Sequence, residues 1–223
     1  MVQLSLYFIS KDSILDDKSI IKSYKRVSGF YDYTFGQIFR PGQKKLVSMM
    51  ECSSTDKVLE IGIGTGTSYK YYPETTQVTG IDISPDMLKK AKKNIIKHNL
   101  QNKNVLMMNG EQLTFEDNSF DKVVGMYVVS VTQNPDLLIN EMKRVCKPNG
   151  DIYLVNHFSF ETDSRFLKIL EKGLMPISKY LGWRPYFPFS EFNAYAKLNV
   201  QSISKVNIFD YWGIIHAINS PAN

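Results

Sequence analysis

The sequence predicts one α/β domain built on a single, mostly parallel sheet with helices on both faces. Short apolar runs typical of buried strands alternate with amphipathic helical patterns from Lys57 onward, as expected for strands joined through helices. The length of 223 residues suits one large domain rather than two. We therefore expect one sheet of seven strands, preceded by an N-terminal amphipathic helix.

The strands and helices follow from local patterns in chain order. Five strands are predicted over residues 57–61, 77–82, 104–108, 120–126 and 151–157, and two more over residues 200–206 and 209–218. Helices are predicted over residues 85–98, where Pro85 opens the helix, and over residues 134–145. The Lys-Pro-Asn-Gly turn at residues 147–150 should end the second helix and lead into the fifth strand.

An aromatic and proline-rich segment, residues 158–199, interrupts the alternation after the fifth strand. It is too long to be a plain connection, and its part from about residue 164 to 181 has a helical pattern. Ligands of open α/β sheets bind at the carboxyl edge of the strands. We therefore interpret this segment as a substrate cap over that edge.

Bulk composition excludes several classes of protein. No apolar run approaches the roughly 18 residues that a bilayer crossing needs, and the first residues lack the features of a signal peptide, so we expect a cytoplasmic protein. Cys52 and Cys146 have no metal-ligand spacing with the three histidines, and no metal site is predicted. The formal net charge of +5 favours contact with an anionic surface, whether lipid or nucleic acid.

The first predicted strand breaks into a glycine turn, Gly62-Ile63-Gly64-Thr65-Gly66, just before an expected helix. Glycine is needed where the backbone turns sharply and where a ligand approaches the main chain without a Cβ in the way. The turn therefore suits a nucleotide-like ligand. A dinucleotide fingerprint would need glycine in place of Thr67, and Glu60 beside the turn favours a cationic amino-acid ligand over a pyrophosphate.

Polar residues follow the next strands at the same edge of the sheet. Asp82 ends the second strand, where a carboxylate can hold the two hydroxyls of a ribose. The third strand runs into the loop Asn109-Gly110-Glu111, which is placed to meet an adenine base. Tyr127 follows the fourth strand and should stand between this ligand and a second substrate.

These blocks resemble the class I methyltransferases, which use S-adenosylmethionine as methyl donor. The resemblance rests on LEIGIGTG at residues 59–66, GIDIS at residues 80–84 and NSFD at residues 118–121, which occur in the order found in that family. It covers about half of the chain. It implies a Rossmann-like fold, methyl transfer from S-adenosylmethionine and release of S-adenosylhomocysteine.

The resemblance also implies which residues hold the donor. The glycines of the turn line its methionine part, Asp82 binds its ribose, and residues 109–111 border its adenine. Many members have aspartate where this chain has Asn109, whose amide oxygen can still accept from the adenine amino group. The expected donor-binding residues are Tyr24, Glu60, Gly62, Gly64, Gly66, Asp82, Ile83, Met87, Asn109, Gly110, Glu111 and Tyr127.

A narrower resemblance spans nearly the whole chain. Residues 31–36 (YDYTFG), 127–130 (YVVS), 154–157 (LVNH) and 181–185 (LGWRP) are similar to bacterial phospholipid N-methyltransferases of the soluble, membrane-associating type. This resemblance implies that the acceptor is the amine of phosphatidylethanolamine, methylated once or further towards phosphatidylcholine.

Residues 1–50 are expected to form a helical segment before the methyltransferase domain at residues 51–223. Ser13 can cap a helix that has an apolar side, with basic residues flanking it. Such a helix suits adsorption to an anionic membrane, and it also suits a lid on its own domain; the two interpretations are compatible. We expect peripheral binding to the inner face of a membrane and no nucleic-acid partner.

Methyl transfer to an amine requires orientation of the partners and removal of a proton, without a metal. The candidates for these catalytic roles are Tyr31, Tyr127 and His157. Aromatic rings, including that of Tyr24, can stabilise the sulfonium and the ammonium product by cation–π attraction. Arg184 is expected to bind the lipid phosphate through its fork of donors, and Asn156 to contact the substrate.

Other functions fit parts of the same pattern. A methyltransferase acting on another hydrophobic acceptor, such as a quinone precursor, would share the donor-binding half. A non-catalytic protein that binds S-adenosylmethionine or tethers to membranes is the alternative from another class. A nucleic-acid methyltransferase is disfavoured because no Asn-Pro-Pro-aromatic motif follows Met126, and a nicotinamide dehydrogenase is disfavoured by Thr67.

Overall fold

The computed structural model describes residues 37–160, 165–177, 183–206 and 211–220. Its strands are β1 (Lys57–Ile61), β2 (Gln77–Asp82), β3 (Lys103–Met107), β4 (Phe120–Met126), β5 (Cys146–His157), β6 (Asn199–Val206) and β7 (Trp212–Ile218). They form one seven-stranded sheet in the order β3-β2-β1-β4-β5-β7-β6. Strands β1 to β5 pair in parallel, whereas β7 runs antiparallel to both β5 and β6. The predicted seven-stranded, mostly parallel sheet is confirmed.

Helices cover both faces of this sheet, as predicted. They are α1 (residues 37–49), α2 (Pro85–Lys97), α3 (Pro135–Val145), α4 (Arg165–Leu174) and α5 (Phe189–Ala196). Neighbouring residues of the strands point to opposite faces: Leu59 packs with α3 and α5, whereas Val58 packs with α1 and α2. None of the helices in the described ranges is long and apolar enough to cross a membrane.

Several element boundaries differ from the prediction by one to three residues, among them the starts of α3 at Pro135, β6 at Asn199 and β7 at Trp212. Helix α2 ends at Lys97 rather than at residue 98, and His98 is its C-cap. Strand β3 begins one residue earlier than expected, at Lys103. The ammonium of Lys103 donates to the carbonyl oxygens of Thr76 at 2.8 Å and of Pro73 at 3.1 Å, which ties the start of β3 to the loop before β2.

The turn predicted at residues 147–150 is wrong in part, because strand β5 already begins at Cys146. Asn149 does adopt the left-handed conformation of a turn, with φ of 61°. Its N–H, however, donates to the carbonyl oxygen of Asn219 at 2.9 Å, and the Asn219 N–H donates to the carbonyl oxygen of Gly150 at 2.8 Å. These bonds to a distant residue continue the ladder beyond β7.

The last helix of the expected cap segment, α5, does not lie over the carboxyl edge of the sheet. Helix α5 packs on one face of the sheet, with Phe192 and Ala196 in the same apolar cluster as Leu138 of α3. Phe158 and Phe187 stack nearby, with ring centroids 5.7 Å apart. The phenylalanines around α5 therefore pack into the core against α3, and the cap role stays a prediction for the rest of the segment. The predicted N-terminal amphipathic helix lies outside the described residues.

The side chain of Asn219 should be a strong local determinant of stability. Its Nδ2 group donates to the carbonyl oxygens of Lys143, Cys146 and Lys147. In Asn219→Ala these mostly buried acceptors lose their donor, and we expect the free energy of unfolding to fall by about 2 to 3 kcal/mol. Urea titration followed by circular dichroism measures it.

The matched control for this prediction is Asn199→Ala. Asn199 is exposed, and its Nδ2 group donates to the Ser220 hydroxyl at the surface, so its loss should change stability by less than about 0.5 kcal/mol. Equal losses in the two variants would contradict the role given to Asn219.

Candidate active site

A cavity of about 140 Å³ opens at the carboxyl ends of β1, β2 and β4. This is the edge where the sequence predicted a ligand site. Ten of the expected donor-binding residues line it: Glu60, Gly62, Gly64, Asp82, Ile83, Met87, Asn109, Gly110, Glu111 and Tyr127. Gly66 does not line the cavity, and Tyr24 and Tyr31 lie outside the described residues.

The three glycines of the turn have the same backbone conformation but different surroundings. Their φ angles are 74° at Gly62, 56° at Gly64 and 75° at Gly66, all in the region that favours glycine. A Cβ on Gly62 would meet Val128 at 2.9 Å and one on Gly66 would meet Ala91 at 3.3 Å. A Cβ on Gly64 would meet nothing within 4 Å, so this glycine leaves open space on the cavity side.

The carboxylate of Asp82 joins the turn after β1 to the end of β2. Its Oδ2 accepts from the Gly64 N–H at 2.9 Å and its Oδ1 accepts from the Ser84 N–H at 2.8 Å. Burial raises the pKa of Asp82, and these N–H donors oppose that shift. Each carboxylate oxygen can accept more than one hydrogen bond, so both can also accept from vicinal ribose hydroxyls.

Glu60 places a second buried carboxyl in the cavity wall. It accepts from the Ser68 hydroxyl and from the Tyr72 hydroxyl, each at 2.8 Å. Burial raises the pKa of Glu60 to about 7, although both hydrogen bonds lower it. An ammonium group bound beside this carboxyl would favour its charged form. The cavity thus suits a cationic amino-acid moiety, as expected from the sequence.

The loop expected near adenine is held by its own polar side chains. The Asn109 amide oxygen accepts from the Glu111 N–H at 2.9 Å, which uses one of its acceptor positions. The Glu111 carboxylate accepts from the Gln133 N–H at 2.8 Å and from the Asn134 side chain at 2.7 Å. Glu111 therefore lines the cavity but binds the loop that follows β4.

Tyr127 stands in the cavity in a strained backbone conformation. Its φ is 60°, which costs a residue with a Cβ about 1 to 3 kcal/mol. The Tyr127 N–H donates to the Val155 carbonyl at 2.6 Å. Its ring stacks on Phe39 with centroids 4.2 Å apart, and its hydroxyl donates to the Phe39 carbonyl at 3.1 Å. These contacts hold Tyr127 at the cavity wall, where the sequence predicted it.

His157 and Asn156 are not among the residues that line the cavity. His157 Nε2 lies 3.1 Å from the Pro185 carbonyl oxygen, to which it donates, and burial lowers its pKa to about 4. The ring is therefore uncharged at neutral pH. Asn156 accepts from the Ser130 hydroxyl at 3.1 Å and is itself buried. Both residues join the end of β5 to neighbouring loops.

Arg184, which was expected to bind the lipid phosphate, contacts backbone groups of the protein in this structure. Its guanidinium donates to the carbonyl oxygens of Thr132 at 2.6 Å and of Gln133 at 2.9 Å. The residue is only 7% exposed and is not among the cavity residues. In this structure the guanidinium holds the backbone of the loop after β4, and its role in binding a lipid phosphate stays a prediction.

Among the cavity residues that the sequence prediction did not name, Phe39 and Gln43 both lie on α1. Phe39 stacks on Tyr127, and Gln43 accepts from the Thr67 hydroxyl at 3.3 Å. The missed signal is the helical spacing of Phe39, Gln43, Leu46 and Met50, in which Gln43 is the polar interruption of an apolar stripe. Leu46 and Met50 are buried in the core.

The sheet order, the glycine turn and the carboxylate at the end of β2 together define a class of enzyme. The family model described as a methyltransferase domain matches residues 59–154, which include the glycine turn, Asp82 and most of strands β1 to β5. The chain belongs to the class I S-adenosylmethionine-dependent methyltransferases.

Within this class the chain is similar to proteins with different acceptors. It is 34% identical over 183 residues to a phosphatidylethanolamine N-methyltransferase of Cereibacter sphaeroides, a match that covers 82% of this chain and 88% of that protein. It is 29% identical over 163 residues to a thiol S-methyltransferase of Rattus norvegicus, covering 72% of this chain and 63% of that protein.

The fold is also that of solved methyltransferase structures. A chain from a Haloferax volcanii complex between the Trm112 methyltransferase activator and a methyltransferase superposes with a TM-score of 0.73. The identity is 14%, and the match covers 92% of this chain and 99% of that chain. At this identity the likeness concerns the fold.

Substitution of Gly64 tests whether the donor occupies the open space beside the turn. In Gly64→Ala the new Cβ enters that space, and we expect affinity for S-adenosylhomocysteine to fall about tenfold or more. The backbone strain should cost about 1 to 2 kcal/mol of stability. Isothermal titration calorimetry and urea titration measure the two effects.

The control for Gly64 is Asn118→Ala. Asn118 also has a positive φ, 57°, but is exposed and does not line the cavity. Because Asn118 already carries a Cβ, Asn118→Ala should lose less stability than Gly64→Ala, and its donor affinity should not change. Unchanged affinity in Gly64→Ala would remove the donor from this side of the turn.

The raised pKa of Glu60 predicts a pH dependence. Folding raises this pKa from its ordinary value of 4.5 to about 7, so the folded protein retains a proton that the unfolded chain releases. The contribution to stability is complete below pH 4.5 and is lost as the pH rises through 7, about 3 kcal/mol in all. Glu60→Gln should remove this part of the pH slope, as measured by urea titration from about pH 5 to 8.

Donor affinity should show the opposite trend, because the ionised carboxyl attracts the donor ammonium. In the unsubstituted protein the affinity for the donor should increase as the pH rises towards about 7.5. In Glu60→Gln the affinity for the donor should be lower and should depend less on pH. Parallel stability curves for the two proteins would contradict the perturbed ionisation of Glu60.

Proposed function

We propose that this methyltransferase methylates the amine of phosphatidylethanolamine, and further its mono- and dimethyl forms towards phosphatidylcholine. The observation that carries the proposal is the similarity to the phosphatidylethanolamine N-methyltransferase of Cereibacter sphaeroides. That alignment spans 183 residues, well beyond the matched methyltransferase domain at residues 59–154. It therefore includes parts of the chain outside the donor-binding half.

The described residues fit the donor that the family uses. Bound in the cavity, S-adenosylmethionine supplies a methyl group on a sulfonium, which an amine nitrogen can attack. Gly64 gives access to the backbone, the Asp82 oxygens accept from the ribose hydroxyls, and the Glu60 carboxyl faces the ammonium. Two carboxyl groups in one cavity also favour a donor with positive charge.

We assign the acceptor side of the cavity to Tyr127 and Phe39. Their stacked rings offer π faces that attract an ammonium or sulfonium by cation–π interaction. The Tyr127 hydroxyl donates its proton to the Phe39 carbonyl, so its oxygen can accept a hydrogen bond from the amine N–H. Among the described catalytic candidates Tyr127 fits this orienting role better than His157, which is buried outside the cavity lining.

A thiol is the second candidate acceptor, favoured by the 29% identity to the thiol S-methyltransferase of Rattus norvegicus. A thiol reacts as its thiolate, which two nearby carboxyl groups would disfavour by repulsion. The match also covers less of that protein, 63% against 88% for the phosphatidylethanolamine enzyme. We therefore favour the amine.

Methyl transfer from isotope-labelled S-adenosylmethionine tests the acceptor directly. The purified protein is incubated separately with phosphatidylethanolamine, its mono- and dimethyl forms, a small hydrophobic thiol and a quinone precursor, and the products are separated by thin-layer chromatography. We expect label in phosphatidylethanolamine. Label in the thiol or the quinone precursor alone would refute the proposed acceptor.

Tyr127→Phe tests the orienting role. Loss of one hydrogen bond to the amine should lower kcat about tenfold while the Kd of S-adenosylhomocysteine stays unchanged. Tyr153→Phe is the control, because the Tyr153 hydroxyl donates to the Met49 carbonyl outside the cavity lining. An equal kcat in both variants would exclude the Tyr127 hydroxyl from the reaction.

A further inference from the structure

Helix α4 exposes three large apolar side chains to solvent and buries a carboxylate against the protein, while its Leu167 and Leu174 are half-buried. Phe166 is 76% exposed, Ile169 is 63% exposed and Leu170 is 49% exposed, whereas Glu171 is only 2% exposed. At 100° per residue, the three apolar residues share one outward face of the helix with Gly173. This is the reverse of the burial pattern of an ordinary surface helix.

The buried carboxylate of Glu171 holds the helix in this orientation. Glu171 Oε2 accepts from the Ser159 hydroxyl at 2.6 Å, and Oε1 accepts from the Tyr211 hydroxyl at 3.0 Å. A carboxylate is costly to bury unless it is hydrogen-bonded, and rotation of α4 would break both bonds. The outward direction of the apolar face is therefore built into the fold.

Basic side chains border the apolar face on one side. Arg165 and Lys172 are exposed, and Lys168 lies between them at helical spacing. The Lys172 ammonium also lies 4.7 Å from the centre of the Tyr186 ring. Apolar residues that enter the acyl boundary beside cations at headgroup level are the pattern of helices that lie in a membrane interface.

We propose that α4 docks the protein on an anionic lipid surface, with Phe166, Ile169 and Leu170 inserted and Arg165 and Lys172 at the headgroups. The positive fringe selects this occupant over a second copy of the chain, whose own α4 would bring like charges together. The proposal goes beyond the acceptor assignment and does not require it.

The position of α4 also suits a reaction at a lipid surface. Tyr211, which binds Glu171, packs edge-to-face on Trp212 with centroids 4.9 Å apart. Trp212 in turn lies 6.2 Å from Phe39, whose ring stacks on Tyr127 in the cavity wall. A row of aromatic rings along one edge of the sheet thus connects the docking helix to the cavity.

Vesicle sedimentation with the full chain tests the docking face. The triple variant Phe166→Gln, Ile169→Gln and Leu170→Gln keeps good helix formers and should bind vesicles of phosphatidylcholine mixed with phosphatidylglycerol more than about tenfold more weakly. The double variant Arg165→Gln, Lys172→Gln should lose several-fold on these vesicles, and little on phosphatidylcholine alone.

Ile96→Gln is the matched control, because Ile96 is a 79% exposed apolar residue on the lysine-rich α2; it should bind like the unsubstituted protein. In a second measurement, Phe166→Trp should gain tryptophan fluorescence that brominated lipid quenches, and Ile96→Trp should not.

Several outcomes would overturn the proposal: no vesicle binding by the unsubstituted protein, equal binding by the triple variant, or no quenching at position 166. A triple variant that changes oligomeric state or loses stability in vesicle-free buffer, with vesicle binding intact, would assign the face to a protein contact instead. Methyl transfer to a short-chain, water-soluble phosphatidylethanolamine needs no membrane, so this reaction tests the acceptor separately.

Discussion

The hydrogen bond from the Gly64 N–H to the Asp82 carboxylate fixes the shape of the donor side of the cavity. The N–H groups of Gly62 and Ile63 both donate to the Ile81 carbonyl, at 2.8 and 2.9 Å, so the turn after β1 is tied to β2 at successive points. The positive φ of Gly62 and of Gly64 turns the chain at this point, which glycine permits without strain. The acid that is expected to hold the ribose therefore also shapes the turn.

The opposite wall of the cavity depends on two side chains of opposite charge. The Glu111 carboxylate accepts from the N–H of Gln133, and the Arg184 guanidinium donates to the carbonyl oxygens of Thr132 and Gln133. The Glu111 carboxylate thus satisfies an N–H group of the loop, and the Arg184 guanidinium satisfies two of its carbonyl oxygens. The loop after β4 is thereby held without regular secondary structure, and its residues 131–133 line the cavity.

The donor half was predictable because its information is local. The glycine turn and Asp82 each follow directly from a strand end, and parallel strands bring such ends to one edge. Arg184 and His157 do not line the cavity, and their neighbours in sequence do not specify which way these side chains point. Phe39 was missed because it contacts Tyr127 from 88 positions away. The start of β5 was missed because Cys146 pairs with Phe120 of β4 and the backbone of Asn149 and Gly150 bonds to Asn219, near the other end of the chain.

The features that lower the free energy of unfolding lie at the carboxyl edge of the sheet, whereas a cluster of ion pairs lies at its amino edge. At the carboxyl edge stand the buried Glu60, the strained Tyr127 and, beyond the aromatic row, the outward apolar face of α4. At the amino edge Lys122 binds Asp151 at 2.8 Å, and Asp151 also binds His216 at 2.7 Å.

Asp121 adds an ion pair with Lys147 at the same edge, and it accepts from the backbone N–H of Lys57 at the start of β1, at 2.9 Å. Partly buried charges that are paired in this way hold the strand starts in register. An enzyme tolerates strain and buried charge where they serve binding, provided that stability comes from elsewhere in the structure. The separation of the two edges lets the sheet supply that stability without restricting the cavity.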